Sequence, residues 1–401
     1  MKKLQINEKR FLENFHSLAA IGWTPSGMDR PSYGPNYLKA RDFLKDRMIE
    51  AGMSVHVDSI GNLYGRYDGM APQGRAILSG SHLDAVPNGG RYDGALGIVG
   101  ALEAIQSVHE QYGPLPIPLE VIAFIAEEAS LLGGTFGSRA IMGLAPLDQT
   151  EEGFRWSGLT RQNIADAKLD PAGYKAYLEL HIEQGPILER KNIEIGIPTG
   201  IVSIVRYKIT LHGQANHAGT TPMSERRDAM RAAAQLLTSW FHWVDSRLKE
   251  KDDFVCNVGT FSLVPNSPAV VPGEASFVLE LRSLSDRIDA EITEAFRRQL
   301  APFSDFTPSM DSVVSKPSVA LDEKVISAVE RAAAVCELSA QRMPSGASHD
   351  AAAMAHFMPA GMIFVPSVGG VSHNMNETTP DVDMLKGVRV LSETVLQLMQ
   401  G

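Results

Sequence analysis

The segment LEVIAFIAEE, residues 119–128, combines an apolar run rich in β-forming residues with two adjacent glutamates at its carboxyl end. A run that is apolar on both faces predicts a strand buried inside a sheet. Apolar runs at 76–78, 177–182 and 362–365 predict further strands of the same kind. They alternate with helical stretches such as 94–108. The sequence therefore predicts an α/β domain whose sheet is mixed, largely parallel and flanked by helices.

A different pattern begins near residue 204. In VRYKITLH, residues 205–212, apolar and polar residues alternate, which is typical of an antiparallel strand with one wet face. A helix over 223–248 and strands over 254–264 and 275–284 are predicted to follow. A second helix is predicted over 286–300. This βαββα order predicts a small α+β open sandwich.

In the two helices of this segment, apolar residues recur at helical spacing, so each set predicts a buried stripe. The first set is Met230, Ala234, Leu237 and Phe241, and the second is Ile288, Ile292, Phe296 and Leu300. Beyond residue 317 the α/β pattern resumes. We therefore predict a discontinuous α/β domain at 1–206 and 317–401, interrupted by an inserted domain at 207–316.

Composition and charge exclude several classes of function. The chain has 401 residues, of which 37 are Lys or Arg and 47 are Asp or Glu, so its formal net charge is −10. This charge argues against nucleic acid or an anionic membrane as the main partner. Cys256 and Cys336 are too few for a disulfide framework, and we expect buried thiols in a reducing compartment. The chain shows neither a signal-peptide pattern nor an apolar run of about 18 residues, so we expect a cytoplasmic protein.

Residues of the types that bind metals stand where the predicted strands end. They are His82 and Asp84, Glu127 and Glu128, His181, and His373. Asp93 stands just before the helix predicted from residue 94. In an open α/β sheet, ligands bind at the carboxyl ends of the strands, so we expect these side chains to converge on one crevice.

Imidazole and carboxylate donors without a thiolate favour zinc, manganese or cobalt in a catalytic site. One carboxylate such as Asp93 can bridge two cations, with His82 and His181 completing one half and Glu128 and His373 the other. The carboxylate of Asp84 is expected to take the second ring N–H of His82 and fix its tautomer. Glu127 remains as a general base for metal-assisted hydrolysis of a carbonyl group.

Each of these features alone has a more common structural explanation. A single histidine on an apolar strand usually packs in the core, and adjacent glutamates such as Glu127 and Glu128 are usually solvated. Glycine pairs such as Gly89-Gly90 usually mark turns. Ligand-type residues at four strand ends and one helix start are, in combination, poorly explained by chance.

The same stretches closely resemble a known family. The motifs GSHLDAVPNGGRYDG, AEEAS, ELHIEQGPILE, NHAGTTPM, SGASHDA and PSVGGVSHN occur in that order over nearly the whole chain. They resemble the amidase, hydantoinase/carbamoylase family, within the dinuclear-metal superfamily that also holds aminoacylases and dipeptidases. This resemblance implies a hydrolase of non-peptide C–N bonds in linear amides, with a small carbamoyl, ureido or amide molecule as substrate.

The resemblance also implies roles for single residues. His82, Asp93 and His181 would bind one divalent metal ion, and Asp93, Glu128 and His373 a second one. Zinc is expected in both positions, with manganese, cobalt or nickel as alternatives. Glu127 would be the base and proton shuttle, and Gln184 would contact the ureido group. On the inserted domain, His217 would stabilise the oxyanion in the partner subunit's site and Arg282 would pair with the substrate carboxylate. The inserted domain would then be a lid and the homodimer interface.

The chain departs from the family pattern in places that concern the substrate. In the stretch 265–273, the family usually has a second asparagine that helps to hold the substrate carboxylate, whereas this chain has Ala269. Asn266 could hold the carboxylate instead only if the loop shifts. Ser348 stands where many members have glycine, and it is a candidate substrate contact together with His349. Ala269 and Leu131 favour a substrate with a less polar end than allantoate. An N-carbamoyl-L-amino acid with an apolar side chain is therefore expected.

Three alternatives remain open at this point. The chain could be an allantoate amidohydrolase or a β-ureidopropionase, which act on related ureido compounds. It could be a dipeptidase or aminoacylase of the same superfamily, although Gln184 argues against this. It could also bind a metal or small molecule without turnover, which would predict the loss of Glu127 or of a metal ligand, and neither is lost.

Overall fold

The computed structural model describes residues 4–400, and its contacts divide them into two compact units. Unit 1 contains the chain up to Thr199 and the chain from Ala320 onward. Unit 2 is Gly200–Val319. The inserted segment predicted at 207–316 lies within the wider limits of unit 2.

The strands are short to medium in length and occur throughout the chain. They are β1 (Trp23–Thr24), β2 (Gly27–Met28), β3 (Ser54–Val57), β4 (Leu63–Tyr67), β5 (Ala76–His82), β6 (Leu119–Phe124), β7 (Tyr174–Ile182), β8 (Ile195–Ile201), β9 (Ile204–His212), β10 (Asn216–His217), β11 (Phe254–Val264), β12 (Val270–Val271), β13 (Glu274–Ser283), β14 (Ser309–Lys316), β15 (Val319–Ala320), β16 (Ala340–Ser345) and β17 (Ala360–Val365).

The helices alternate with these strands. They are α1 (Glu8–Ala20), α2 (Pro35–Glu50), α3 (Ala95–Tyr112), α4 (Phe136–Ile141), α5 (Glu151–Ser157), α6 (Arg161–Asp166), α7 (Ile187–Lys191), α8 (Ala229–Glu250), α9 (Asp286–Leu300), α10 (Glu323–Val335), α11 (Asp350–Ala355) and α12 (Asp381–Gln400). None of the helices within residues 4–400 is both long and apolar enough to cross a membrane.

The main sheet has nine strands, in the order β15-β8-β17-β7-β5-β6-β4-β3 with β16 beside β8. Four adjacent strands, β17, β7, β5 and β6, run parallel, and they are the strands predicted from apolar runs. On either side of them, β8, β4 and β3 pair antiparallel. The prediction of a mixed sheet flanked by helices is confirmed, but the parallel part forms the centre of the sheet rather than most of it.

Helices cover both faces of the sheet centre. Successive residues of β7 point to opposite faces. The Glu179 carboxylate accepts the N–H of Ala351 in α11 at 2.8 Å, so Glu179 and His181 face α11. On the other face, α3 lies so close that a Cβ at Gly97 would come within 2.3 Å of the Leu180 carbonyl oxygen. Glycine at this position therefore allows α3 to pack directly on the sheet.

Unit 2 contains a four-stranded antiparallel sheet in the order β11-β13-β9-β14. Residues of β13 alternate regularly between buried and half-buried, as expected for a sheet that is covered on one face. Trp240 of α8, Phe296 of α9 and Phe277 of β13 are fully buried together in its core. The bounds predicted for β11 and α9 are confirmed, and β14 is an additional strand that the sequence pattern did not reveal.

The stripe predicted for α8 is wrong. The helix begins at Ala229, after its N-cap Asp228, and its buried residues are Ala229, Ala232, Ala233, Leu236, Trp240 and Val244. Met230 and Phe241, from the predicted stripe, are 39% and 40% exposed. The helix carries two neighbouring apolar stripes, and the one that contains the large Trp240 side chain packs on the sheet. On α9, the predicted stripe is buried.

The two cysteines are not joined in a disulfide bond. Cys256 and Cys336 are both half-buried, so the expectation of buried thiols is met only in part. Cys256 lies on β11 of unit 2, whereas Cys336 is the C-cap of α10 in unit 1.

Candidate metal centre and active site

The four central strands bring their ligand-type residues to one edge of the sheet. In the pairing of β5 with β6, His82 lies opposite Phe124, and in the pairing of β17 with β7, Phe364 lies opposite His181. Glu127 and Glu128 lie three and four residues after the end of β6, and His373 lies in the loop after β17. Because the strands are parallel and adjacent, the predicted convergence follows from their register.

Asp93 lies at the centre of this group, in the turn before α3. Its Oδ1 atom is 3.2 Å from Nε2 of His82 and 3.1 Å from Nε2 of His181. Its Oδ2 atom is 3.3 Å from Nε2 of His373, which is itself 3.7 Å from Oε1 of Glu128. The two carboxylate oxygens thus face two different sets of side chains, which is the geometry expected of a bridging ligand.

Two groups of potential metal ligands share Asp93. One consists of His82, Asp93 and His181, and the other of Asp93, Glu128 and His373. Within each group, one ligand atom of every residue lies within 4.8 Å of the others. Two further groups overlap with these: His82 with Glu127 and Glu128, and His181 with Glu179 and His349.

The chemistry of the donors fits divalent cations. Asp84, Asp93, Glu127 and Glu128 are between 2% and 9% exposed, so four carboxylates are buried within one small region. Burying several negative charges together is costly unless cations accompany them. In addition, the buried Nε2 atom of His181, although 3.1 Å from Oδ1 of Asp93, forms no hydrogen bond of acceptable geometry with any described residue. A bound cation would supply both the missing charge and the missing partner.

Burial and mutual repulsion shift the acidities of these groups. Burial raises the pKa of the Glu127 carboxyl well above its usual value, and the Glu128 carboxylate adds to the rise. Burial and the Asp93 carboxylate raise the pKa of Glu128 to about 7. The Asp93 carboxylate raises the pKa of His373 to about 9. Burial alone would raise the pKa of Asp93, but the three facing imidazoles hold it well below its usual value.

Asp84 acts differently from its predicted role. The Nδ1 atom of His82 lies 3.0 Å from the backbone carbonyl oxygen of Asp84, whereas the Asp84 carboxylate is 3.9 Å away. The carboxylate instead accepts the backbone N–H groups of Glu127 at 3.1 Å and Glu128 at 3.2 Å. The carbonyl group therefore fixes the tautomer of His82, and the side chain holds the two glutamates in place.

Gln184 lies beside the bridging carboxylate. Its Nε2 donates to Oδ2 of Asp93 at 2.8 Å and to Oγ of Ser372 at 3.2 Å. Its Oε1 is buried and accepts no hydrogen bond from residues 4–400. Since both N–H groups are in use, the amide orientation is fixed and the free oxygen is available as an acceptor.

His349 and Ser348 precede α11. His349 is 2% exposed, and its ring centre is 4.5 Å from that of His181 in an edge-to-face arrangement. Its Nε2 atom is buried and has no hydrogen-bond partner in the described part of the chain. Burial lowers the pKa of His349 well below its usual value, so the ring is neutral beside His181. Ser348 is half-buried in the same loop.

In unit 2, His217 is exposed on β10, which pairs with β12. Its Nδ1 atom accepts the backbone N–H groups of Gly219 at 3.0 Å and Thr220 at 3.1 Å. A ring nitrogen that accepts carries no proton, so the proton of the neutral ring lies on Nε2. The local backbone therefore presents His217 as an Nε2–H donor.

The other two candidate site residues of unit 2, Arg282 and Asn266, lie in different surroundings. Arg282 is on β13, and its Nε atom donates to the Glu280 carboxylate at 2.8 Å. It lies on the half-buried face of the sheet, opposite the buried face. Asn266 is exposed, with a left-handed backbone (φ 55°), in the loop that also contains the exposed Ala269.

Sequence reasoning missed two residues that support the site. Arg30 is 1% exposed and donates to the carbonyl oxygen of Leu83 at 2.8 Å, next to Asp84. Glu377 is 3% exposed and accepts the backbone N–H group of Asp93. Both lie in loops without periodicity, and the single available signal for Glu377 was an acidic residue shortly after His373.

The chain is similar to proteins of known family. The family described as Peptidase family M20/M25/M40 matches residues 78–397. The N-carbamoyl-L-amino acid amidohydrolase of Geobacillus stearothermophilus is 36% identical over 99% of this chain and 100% of its own length. The allantoate amidohydrolase of Escherichia coli (strain K12) is 34% identical, with 95% of each chain covered. The crystal structure of a hydantoinase/carbamoylase family amidase from Burkholderia multivorans is 31% identical, with a TM-score of 0.89 over 99% of both chains. The resemblance noted in the sequence is thereby confirmed.

Metal binding by this centre should depend on pH. A cation must displace the protons held by Glu128, whose pKa is about 7, and by His373, whose pKa is about 9. The affinity of the metal-free protein for Mn²⁺ should therefore rise as the pH increases from about 6 to 9, with proton release on binding. Calorimetric titration in buffers of different ionisation enthalpy measures both effects. The variant Glu128→Gln should lose the pH dependence near 7, and an affinity independent of pH would contradict the prediction.

Proposed function

The chain belongs to peptidase family M20/M25/M40, and from this premise we propose that it is a dinuclear-metal amidohydrolase of linear ureido compounds. Its expected substrates are N-carbamoyl-L-amino acids, and its products are the amino acid, ammonia and carbon dioxide. The observation that carries the proposal is the Asp93 carboxylate, whose two oxygens face two ligand sets with the buried Glu127 alongside. The names of the relatives agree with this class of reaction.

In this proposal, His82, Asp93 and His181 hold one divalent cation, and Asp93, Glu128 and His373 hold the other. Zinc is the expected metal, and manganese, cobalt or nickel are alternatives, because imidazole and carboxylate donors suit all four. When bound, the cations would lower the pKa of a coordinated water molecule and polarise the substrate carbonyl group.

Glu127 is the proposed general base. Its Oε2 lies 4.0 Å from Nε2 of His82, at the border of the ligand set, and no metal role is needed for it. Its carboxylate would accept the proton of the attacking water and deliver it to the leaving nitrogen, so the carbonyl–nitrogen bond breaks and ammonia leaves. The remaining carbamate would decay to carbon dioxide and the amino acid.

Gln184 is proposed to recognise the carbamoyl group. Its fixed amide leaves Oε1 as a buried acceptor without a donor. The terminal NH₂ of a carbamoyl group supplies such a donor, whereas an acetyl group supplies only a methyl. A buried acceptor left unsatisfied costs about 1 to 3 kcal/mol, so this position favours ureido substrates over acyl ones.

Three residues of the inserted segment are proposed to complete the site. His217, with its proton on Nε2, would donate to the oxyanion in the site of the partner subunit. Arg282 would bind the substrate carboxylate through its planar fork, with Asn266 as a second contact. Ser348 and His349 would contact the substrate from the catalytic domain. The inserted domain would act as a lid that excludes water on closing.

Allantoate is the second candidate substrate, since one relative of 34% identity is an allantoate amidohydrolase. Two features of this chain favour the smaller carbamoyl amino acid. Ala269 has no polar side chain where the family pattern has asparagine, and Leu131, after the glutamate pair, is 44% exposed. Both would face the end of the substrate that carries the second ureido group in allantoate.

We further propose that unit 2 forms the homodimer interface. The edge strand β11 exposes Val255 (60%) and Phe261 (40%), and α8 exposes Met230 and Phe241. A long edge strand with exposed apolar side chains tends to pair with another strand. A second copy of this chain carries the same strand. In a homodimer, β11 of each subunit would pair with β11 of the other, and the exposed apolar side chains of β11 and α8 would be covered.

Replacing Glu127 should separate metal binding from turnover. The variant Glu127→Gln keeps the size of the side chain but cannot accept the water proton, so we expect a fall in kcat of at least about 100-fold with unchanged metal content. Ammonia release is measured with N-carbamoyl amino acids and allantoate. Release of the free amino acid is measured with N-formyl and N-acetyl amino acids and with dipeptides, and metal content is measured by metal analysis. Activity on acyl or peptide bonds alone would keep the mechanism and refute the carbamoyl assignment.

Replacing Gln184 should change the choice of substrate. The variant Gln184→Met removes the acceptor at similar volume, so the ratio of kcat/KM for carbamoyl over acetyl substrates should fall about 100-fold. The ratio cancels any shared loss from the lost hydrogen bond to Asp93. An equal loss for both substrates would show that Gln184 acts on Asp93 alone.

Charges on the edge strand should disrupt the dimer. The double variant Val255→Lys and Phe261→Lys places like charges on both copies of β11, so it should sediment as a monomer at concentrations where the native protein is dimeric. The matched control is Ser312→Lys on β14, an exposed residue at the opposite edge of the same sheet. A monomeric native protein, or dimers in both variants, would contradict the proposed interface.

A further inference from the structure

We propose that Glu377 is a positioning residue that holds the Asp93 turn and the His373 loop against each other. As a result, the ligand set of Asp93, Glu128 and His373 depends on it more than the set of His82, Asp93 and His181. The inference rests on the dinuclear centre proposed above and adds a difference between its two halves.

The contacts of Glu377 join two loops that are far apart in sequence. Its Oε1 accepts the backbone N–H groups of Tyr92 at 3.0 Å and Asp93 at 3.1 Å. Its Oε2 accepts the hydroxyl of Ser372 at 2.8 Å, next to His373. One carboxylate thus fixes the backbone at one metal ligand and a side chain adjacent to another.

Gly90 provides the space for this carboxylate. A Cβ on Gly90 would come within 2.1 Å of Oε1 and 2.2 Å of Cδ of Glu377, which no ordinary contact allows. The backbone at residue 90 therefore lies directly against the carboxylate. This close approach shows that the turn before Asp93 packs directly against the Glu377 side chain.

The same hydrogen-bond network extends to the bridging oxygen. Ser372, which donates to Glu377, also accepts a hydrogen bond from Gln184 at 3.2 Å. Gln184 in turn donates to Oδ2 of Asp93 at 2.8 Å. Glu377 therefore positions Asp93 in two ways. It binds the backbone N–H group of Asp93 directly, and it acts on Oδ2 of Asp93 indirectly, through Ser372 and Gln184.

The two ligand sets differ in what else supports them. His82 and His181 belong to adjacent parallel strands and are 2% and 1% exposed. His373 lies in a loop, has a left-handed backbone (φ 54°) and a side chain that is 52% exposed. If the contacts of Glu377 are lost, the first set still has His82 and His181 fixed on the sheet. In the second set, both Asp93 and His373 then lie on loops that are no longer held together.

The test is metal titration of the metal-free protein with Mn²⁺, together with metal analysis after dialysis. The native protein should bind two ions per chain. Glu377→Ala should bind the first ion nearly normally and the second about 10- to 100-fold more weakly, the range expected when a group supporting a metal ligand is removed. Glu377→Gln should lose less, because its amide oxygen still accepts the two backbone N–H groups.

Gly90→Ala provides an independent route to the same result, since the new methyl group displaces the carboxylate while Glu377 remains. It also keeps the test decisive if Glu377→Ala fails to fold. The matched control is Glu103→Gln: Glu103 is equally buried in unit 1 and accepts the N–H of Asn7 and pairs with Arg10. This control should lower the Tm of the metal-free protein but bind two ions with native affinity.

The outcomes separate this inference from the proposed function. Two ions bound with native affinities by both Glu377→Ala and Gly90→Ala would overturn the positioning role and leave the dinuclear centre intact. An equal loss of both ions, with a lowered Tm of the metal-free variant, would show a general structural role and would also overturn it. A native protein that binds a single ion would overturn the dinuclear centre, and this inference with it.

Discussion

The whole site depends on one electrostatic constraint, which is the burial of several carboxylates around Asp93. Isolated negative charges are too costly to bury, and specific donors hold the carboxylates of Asp84, Asp93 and Glu377. Asp84 accepts from the backbone of the glutamate pair, and Glu377 accepts from the backbone at Asp93. The remaining charge is left for cations. The fold around Asp93 thus holds together carboxylate oxygen atoms that would otherwise repel each other.

Much of this arrangement could be predicted from sequence because the central strands are apolar on both faces. Such runs identify the parallel strands, and the carboxyl ends of adjacent parallel strands must lie at one edge, which brings His82, His181 and His373 together. Strands β3, β8 and β14 were missed, because they are short, half-exposed or interrupted by Pro and Gly. The α8 stripe failed because two apolar stripes compete, and burial of Trp240 decides between them.

The site details that escaped prediction involve backbone atoms. The pattern H-x-D identified Asp84 as a neighbour of His82, but the choice between its carbonyl and its carboxylate depends on the path of the chain after β5. Glu377 contacts peptide groups of residues 92 and 93, more than 280 positions away, and no periodicity encodes such a contact. The Nε2–H tautomer of His217 likewise follows from two N–H groups in its own turn. Residue types suggested the chemistry, whereas loop geometry assigns the atoms.

The contrast between strand-borne and loop-borne ligands also has a consequence in time. Proteins open locally, and loops open at a much lower free energy than the central strands of a sheet. An ion held by His82 and His181 would escape only when the middle of the sheet opens, whereas an ion held through His373 would leave with each excursion of an exposed loop. The two positions would therefore exchange their ions with solvent at different rates. The ion held by His82 and His181 would stay bound for long periods, whereas the ion held through His373 would be readily replaced.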